Sequence, residues 1–178
     1  MFDKINGSTA KVLNLFLDDP QREFYLREIA RIAKISSSTS KRALDELKKT
    51  ELIKEERKAN LRIFSAEQES QTFKELKKIK NLEWIKKKKL VENIVDESTI
   101  SVVLFGSFAL GTNTKESDLD VLVITSKRKP VKIKELDGVE VQLIQKTLKE
   151  FRELEKKDNP FYTEIISTGI ALYGGMPA

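Results

Sequence analysis

Apolar residues recur at helical spacing in three short segments near the start of the chain. The spacing predicts helices over Thr9–Leu17, Leu26–Ala33 and about Ser38–Lys49, with a very short strand at Phe24-Tyr25. The polar stretch Ser36-Ser37-Ser38-Thr39 offers hydroxyl groups that can cap the third helix. The first part of the chain is therefore predicted to be mainly helical.

Two strand-like runs and a long polar helical stretch come next. Leu52–Glu56 and Leu61–Phe64 flank a polar turn, which is typical of a hairpin. The segment Glu67–Val95 is rich in lysine, and its pattern predicts one or two helices. Its apolar residues recur every three positions, at Phe73, Leu76, Ile79, Leu82 and Ile85.

Short strands alternate with helices in the rest of the chain. Apolar or alternating runs predict three strands, and helical spacing follows the first and the third. We expect strands at Ile100–Phe105, Val121–Thr125 and Val139–Ile144, helices at Ser107–Leu110, Thr147–Lys157 and Phe161–Thr168, and a final extended piece at Ile170–Tyr173.

The candidate chemistry lies where the first two of these strands meet a turn. The first strand ends at Gly106-Ser107, and the second opens with Asp118 and Asp120. Side chains two residues apart on a strand share a face at roughly 6 to 7 Å, so the two carboxylates repel unless a cation lies between them. Oxygen ligands of this kind suit Mg²⁺, and the backbone of a Gly-Ser turn that opens a helix suits a phosphate. The combination predicts a site for nucleoside triphosphate chemistry.

These residues resemble the motif of the nucleotidyltransferase superfamily related to DNA polymerase β, and within it the minimal nucleotidyltransferases. The motif is Gly-Ser, about ten residues, then Asp-x-Asp at the head of a strand; here ten residues separate Gly106-Ser107 from Asp118-Leu119-Asp120. The resemblance covers roughly residues 94–175. It implies that Asp118 and Asp120 hold Mg²⁺ and that Gly106 and Ser107 bind the β- and γ-phosphates. It also implies transfer of a nucleoside monophosphate from a nucleoside triphosphate, with ATP expected, to an acceptor hydroxyl.

Two positions depart from the pattern of that family. The resemblance implies a third carboxylate on the following strand, which binds metal and takes the acceptor's proton. Glu140 is the candidate here, although the family usually carries aspartate and the equivalent position could instead be Gln142. Leu110 stands where many relatives carry an arginine, and Lys115 or the turn Lys127-Arg128-Lys129 are the cations that could replace it.

The order of elements in the first part resembles a winged helix-turn-helix over Thr9 to about Ala66. In such domains the N-terminal residues of the third helix face base edges in the DNA major groove, and the hairpin contacts phosphates. The alternative is a domain that only packs or dimerises, with ordinary solvated charges. The residues that the resemblance places on DNA are Ser37, Ser38, Ser40, Lys41 and Arg42 on the helix, with Lys54, Arg57, Lys58 and Arg62 on the hairpin.

Composition narrows the chemistry further. The chain contains no cysteine and no histidine, which excludes disulfides, thiol catalysis and histidine metal ligands.

The positive charge is unevenly distributed along the chain. Residues 1–98 carry 22 Lys/Arg against 17 Asp/Glu, whereas residues 99–178 carry 11 of each, so the net charge of +5 belongs to the first part. This asymmetry favours nucleic-acid binding there only mildly, and the run Lys86–Lys89 is more typical of a solvated helical face. No apolar run approaches the roughly 20 residues of a membrane span, so we expect a cytoplasmic protein.

The sequence as a whole predicts an α+β protein with three parts. Residues 1–66 form a winged helix-turn-helix, 67–95 a helical linker, and 96–178 a nucleotidyltransferase domain with a small mixed sheet flanked by helices. The first hypothesis is a magnesium-dependent transferase fused to a regulator that binds double-stranded DNA. The resemblance to stand-alone relatives implies an antitoxin-like role, with a cognate toxin as the protein acceptor. The second is a transcription regulator whose transferase domain only senses a nucleotide. A homodimer and a small-molecule acceptor remain open.

Overall fold

The computed structural model describes residues 7–58, 61–127 and 133–177. Within these ranges the chain forms two compact units that divide between Lys77 and Lys78. Each unit has its own hydrophobic core, so each is described by itself.

The first unit combines three helices with a three-stranded antiparallel sheet. The strand order is β1-β3-β2, and β2 and β3 form the hairpin that the sequence predicts. Helices followed by such a hairpin are the winged helix-turn-helix arrangement. The elements are α1 (Gly7–Asp18), β1 (Phe24–Tyr25), α2 (Leu26–Ala33), α3 (Ser37–Lys49), β2 (Ile53–Lys58) and β3 (Leu61–Ala66).

The core of the first unit is formed by the apolar faces of these elements. Phe16 and Phe64 are completely buried, and the rings of Phe16 and Phe24 meet edge to face with centroids 5.1 Å apart. The cap of α3 forms as its sequence predicts, because the backbone N–H of Thr39 donates to Ser36 Oγ at 3.1 Å. Packing and capping together fix the orientation of α3.

Two helices occupy the lysine-rich middle of the chain: α4 (Gln71–Lys87) and α5 (Leu90–Ile94), separated by Lys89 in the left-handed conformation. The buried face of α4 differs from the expected one. Its most buried positions are mainly four residues apart, at Phe73, Lys77, Asn81 and Ile85, whereas Ile79 is about half exposed. This buried row therefore includes two polar residues, Lys77 and Asn81, which the three-residue spacing of the apolar residues does not predict.

The second unit contains a five-stranded mixed sheet with strand order β6-β7-β5-β4-β8. β5 runs parallel to β7 and antiparallel to β4, and β4 pairs antiparallel with β8. The mixed sheet flanked by helices confirms the predicted fold class. Its elements after α5 are β4 (Thr99–Leu104), α6 (Gly106–Leu110), β5 (Leu119–Thr125), β6 (Glu135–Leu136), β7 (Val139–Thr147), α7 (Leu148–Glu155), α8 (Pro160–Thr168) and β8 (Ile170–Tyr173).

Alternation along the strands produces two apolar layers, one on each face of this sheet. One face carries Leu119, Val121 and Val123 and packs with residues of α4, α5 and α6. The other face carries Leu122 and Ile124 and packs with residues of α7 and α8. Asp118 and Asp120 lie an even number of residues before Leu122, so they belong to the second face. That face therefore contains the candidate site.

No helix within the described residues is both long and apolar enough to cross a bilayer.

Candidate functional site

Three strand ends converge at one edge of the five-stranded sheet. β4 ends beside the start of β5 because the two strands are antiparallel, with Leu104 opposite Val121. β7 starts at the same edge because it runs parallel to β5, with Asp120 opposite Gln142. The topology therefore brings the Gly106-Ser107 turn, the aspartate pair and the start of β7 together.

Gly106 lies directly against the carboxylate of Asp120. Its φ is +65°, and a Cβ atom added there would overlap Asp120 Oδ2 and come within 3.1 Å of Asp120 Cγ. The backbone N–H of Phe105 also donates to the carbonyl of Asp120 at 3.1 Å. Glycine is required at this turn because the carboxylate occupies the space of a side chain and the backbone is left-handed. The predicted juxtaposition of turn and aspartate is present.

Asp118 precedes β5 and Asp120 is its second residue, and both side chains are partly exposed. Burial raises the pKa of Asp120, and the negative charges of Asp118 and Glu164 raise it further. A divalent cation beside the pair would offset both effects, since it neutralises the repulsion and favours the ionised form. The electrostatics and the oxygen donors thus fit a hard cation.

An amide side chain contacts the aspartate pair. Gln142 Nε2 donates to Asp118 Oδ2 at 2.7 Å, so Gln142 contacts the aspartate pair directly. Glu140 shares this face of β7, lies opposite Glu135 in the β6–β7 hairpin, and its side chain is exposed. In the part of the chain that the structure describes, no three acidic side chains are grouped as a metal site. The hydrogen bond to the aspartate pair therefore comes from Gln142, and Glu140 makes none to it within the described residues.

The phosphate-binding candidates lie on α6. Ser107 is partly exposed, and Gly111 ends the helix in the left-handed conformation, with its N–H donating to the Ser107 carbonyl. Leu110 is 39% exposed, so an apolar side chain faces solvent beside the turn. Of the cations suggested as replacements at this position, Arg128 and Lys129 lie outside the described residues.

The DNA-binding candidates of α3 divide between two faces of the helix. Ser37, Ser38, Lys41 and Arg42 are exposed and share one face by their spacing. The assignment of Ser40 to a base-contacting face is wrong, because Ser40 is completely buried on the core side. Its hydroxyl has no hydrogen-bond partner among the described residues.

Two of the four hairpin cations are already engaged in ion pairs. Arg62 donates to both carboxylate oxygens of Glu55, which also accepts from Lys48 on α3, and the pKa of Glu55 falls to about 2 as a result. Lys58 Nζ lies 2.8 Å from Glu23 Oε1. Lys54 and Arg57 are exposed and have no ion-pair partner within the described ranges. These two residues are the freer candidates for phosphate contacts.

Residues 87–168 match the family model described as the nucleotidyltransferase domain. This match supports a nucleotidyltransferase domain in the second unit, where the Gly106 turn and the aspartates lie. Among solved structures, that of a Lactococcus lactis ZitR double mutant in apo form is similar, at 22% identity and a TM-score of 0.40. The similarity covers 54% of this chain and 76% of that chain. No curated protein matches the chain.

The second unit contains two polar residues near the candidate site that the sequence analysis missed. Glu164 on α8 is close enough to raise the pKa of Asp120, but no spacing from the motif points to it. Asn81 on α4 is 5% exposed and donates to the carbonyl of Phe108 on α6 at 2.9 Å. The sequence signal for a buried role of Asn81 is its place among the positions four residues apart that α4 buries.

Proposed function

We propose that the second unit is a magnesium-dependent nucleotidyltransferase that moves a nucleoside monophosphate from a nucleoside triphosphate, ATP in the first instance, to an acceptor hydroxyl. The observation that carries this proposal is the contact of the Asp120 carboxylate with the Gly106 turn. Because of that contact, the carboxylate that would bind a cation lies next to a backbone that a phosphate could approach closely. The match of residues 87–168 to the nucleotidyltransferase family model supports the transferase part of the proposal.

Asp118 and Asp120 are the residues that would hold Mg²⁺. The fit rests on two partly exposed carboxylates, and burial together with the charge of Asp118 raises the pKa of Asp120. When bound, the ion supplies positive charge that neutralises the triphosphate. Gln142 holds Asp118 through its amide and thereby orients one of the two ligands.

The chain's own groups would bind and orient the substrates. The Ser107 hydroxyl and the N–H groups of the Gly106 turn would bind the terminal phosphates. The acceptor oxygen would attack the α-phosphorus, the bond from that phosphorus to the β-phosphate oxygen would break, and pyrophosphate would leave. A water molecule would accept the proton of the acceptor hydroxyl.

Labelled ATP tests this proposal directly. The full chain is incubated with ATP labelled on the α-phosphate and with Mg²⁺, and pyrophosphate release and labelled products are measured. We expect turnover that Asp120→Ala abolishes, whereas Asp158→Asn, a neutralisation at an exposed aspartate in the same unit, leaves it unchanged. Equal turnover in all three proteins would exclude the site.

A nucleotide sensor without chemistry is the second candidate function. The observation in its favour is that an amide, Gln142, contacts Asp118, whereas Glu140 makes no hydrogen bond to either aspartate within the described residues. Such a protein would bind ATP in an Asp120-dependent way and release no pyrophosphate with any acceptor. Binding and turnover measured on the same preparation distinguish the two candidates.

The first unit is proposed to bind double-stranded DNA. The exposed face of α3 supports this proposal, as do Lys54 and Arg57, which have no ion-pair partner among the residues that the structure describes. Because each phosphate contact adds roughly 0.9 to the slope of log affinity against log salt, binding should weaken steeply with added salt. Absence of binding at low salt would leave the winged helix as a packing module.

The fusion of these two activities suits an antitoxin-like protein that modifies a partner and regulates its own expression. The acceptor would then be a hydroxyl of a partner protein, such as a cognate toxin. A protein that co-purifies with the chain and becomes labelled from α-labelled ATP would support this role. A labelled small molecule in its place would exclude it.

A further inference from the structure

A buried amide connects α4 to the short helix that carries the phosphate-binding turn. Asn81 Nδ2 donates to the Phe108 carbonyl at 2.9 Å and to Asn113 Oδ1 at 2.8 Å. Asn81 and Asn113 are each only 5% exposed. A buried amide that donates twice makes a specific connection, because either acceptor left without it would be costly.

Helix α6 depends on such neighbours for its position. It has five residues, Gly106–Leu110, which is too short for a helix that is stable on its own. The Phe108 carbonyl lies near its C-terminal end, where backbone carbonyls lack partners within the helix. Asn81 satisfies that carbonyl and, through Asn113, also holds the loop that leads towards Asp118.

Helix α4 can act as the fixed partner in this contact. It has 17 residues, and Ile85, one turn beyond Asn81, is 2% exposed in the core of the second unit. Trp84 stacks on Phe108 with ring centroids 6.1 Å apart and an interplanar angle of 30°. The amide contact and the ring contact both join α4 to the same residue of α6.

We propose that Asn81 is a positioning residue of the nucleotide site: by holding α6 through Phe108 and Asn113, it places the Gly106-Ser107 turn where it meets the triphosphate. This inference rests on the proposed nucleotidyltransferase function.

In this role Asn81 would not itself touch the substrate. Its loss should therefore weaken interactions with the terminal phosphates more than interactions with the rest of the nucleotide.

Comparison of ATP with AMP separates this role from a general structural one. Affinities of the full-length protein for both nucleotides are measured with Mg²⁺ for the wild type, Asn81→Ala and Asn93→Ala. Asn93 is an exposed asparagine on α5 and provides the same chemical change away from α6. We expect Asn81→Ala to weaken ATP binding roughly tenfold, the loss that a buried hydrogen bond implies, and to leave AMP binding and Asn93→Ala unchanged.

Trp84 provides a second readout because it is the only tryptophan in the chain. ATP added to the wild type should change its fluorescence through Phe108, and Asn81→Ala should reduce that change. If Asn81→Ala unfolds, Asn113→Ala removes one of the two hydrogen bonds and should produce a smaller loss in the same direction.

Each outcome decides between the inference and the function on which it rests. Unchanged ATP affinity in Asn81→Ala, or equal losses for ATP and AMP, would overturn the positioning role while the nucleotide site stands. Wild-type protein that binds no ATP, or binds it equally well after Asp120→Ala, would overturn the proposed function itself.

Discussion

Gln142 donates its amide to Asp118 across two parallel strands, with Nε2 and Oδ2 2.7 Å apart. The register that pairs Asp120 with Gln142 makes this contact possible, because parallel neighbours at the same level share a face. The site therefore has two carboxylates and one amide, where the family resemblance implies three carboxylates. The charge of the side chain at position 142 would therefore change the affinity of the proposed site for a cation.

Gln142→Glu should strengthen cation binding. The substitution keeps the size of the side chain and adds a negative charge beside Asp118 and Asp120, so affinity for Mn²⁺ should rise roughly tenfold. Electron paramagnetic resonance of free Mn²⁺ measures the change. Gln145→Glu makes the same change at a position of opposite parity on β7 and should leave the affinity near that of the wild type. Equal effects of the two substitutions would contradict a cation site at the aspartates.

Gly106→Ala should abolish nucleotide binding. The new Cβ would overlap the Asp120 carboxylate, and the left-handed backbone adds about 1–2 kcal/mol of strain. Gly138→Ala is the matched control, since Gly138 has φ +85° but no atom within 4 Å of an added Cβ. Both variants should lower the melting temperature, whereas only Gly106→Ala should lose ATP binding. Retention of ATP binding by Gly106→Ala would show that the turn does not meet the phosphates.

The convergence of the turn with the aspartates could be predicted from sequence because local patterns determine it. A strand that ends in Gly-Ser and a strand that opens with Asp-x-Asp must share a sheet edge once they pair antiparallel. The contact of Gln142 with Asp118 could not be predicted, because it depends on the register of β7 against β5. Register is set by packing across distant segments, and a shift of one residue would reverse the face.

The burial of Asn81 could also not be predicted from the sequence, for a physical reason. The apolar residues of α4 recur every three positions, yet the helix buries a four-residue row that includes Lys77 and Asn81. Lys77 Nζ donates to the Leu17 carbonyl, so both polar residues in the row bond to backbone carbonyls. Ser40 shows the same difficulty on α3, where a small polar residue lies on the buried face.

Ser40→Ala should stabilise the first unit slightly without changing DNA binding. The Ser40 hydroxyl is buried with no hydrogen-bond partner among the described residues, and removing such a group relieves a desolvation cost of about 1 kcal/mol. Urea denaturation measures the stability, and a binding titration measures the affinity. Ser38→Ala, on the exposed face of the same helix, serves as the comparison. A marked loss of DNA affinity in Ser40→Ala would mean that the face assignment of α3 is incorrect.

The ion-pair cluster at Glu55 should make the stability of the first unit depend on pH. Arg62 first, and Lys48 second, lower the pKa of Glu55 from 4.5 to about 2 in the folded state. A carboxyl group whose folded pKa is lowered stabilises the fold above its unfolded pKa, and this contribution disappears as the pH falls from about 4.5 to about 2.

Glu55→Gln should therefore cost on the order of 2 kcal/mol at pH 7 and much less at pH 2. Urea denaturation of both proteins across that range measures the difference. Glu56→Gln changes an exposed neighbour on the same strand and should show little effect at either pH. A pH-independent difference between wild type and Glu55→Gln would indicate lost packing in place of a lost ion pair.

Lys41 and Arg42 should account for part of the salt dependence of DNA binding. Both are exposed on the face of α3 that would enter the major groove, and neither has an ion-pair partner within the described residues. Replacing either by alanine should reduce the slope of log affinity against log salt by roughly 0.9 if it contacts one phosphate. Lys11→Ala, at an exposed lysine on α1, controls for the loss of net charge. Equal changes in slope for Lys41→Ala, Arg42→Ala and Lys11→Ala would mean that the affinity for DNA depends on the net charge of the protein and that α3 is not the DNA-contacting helix.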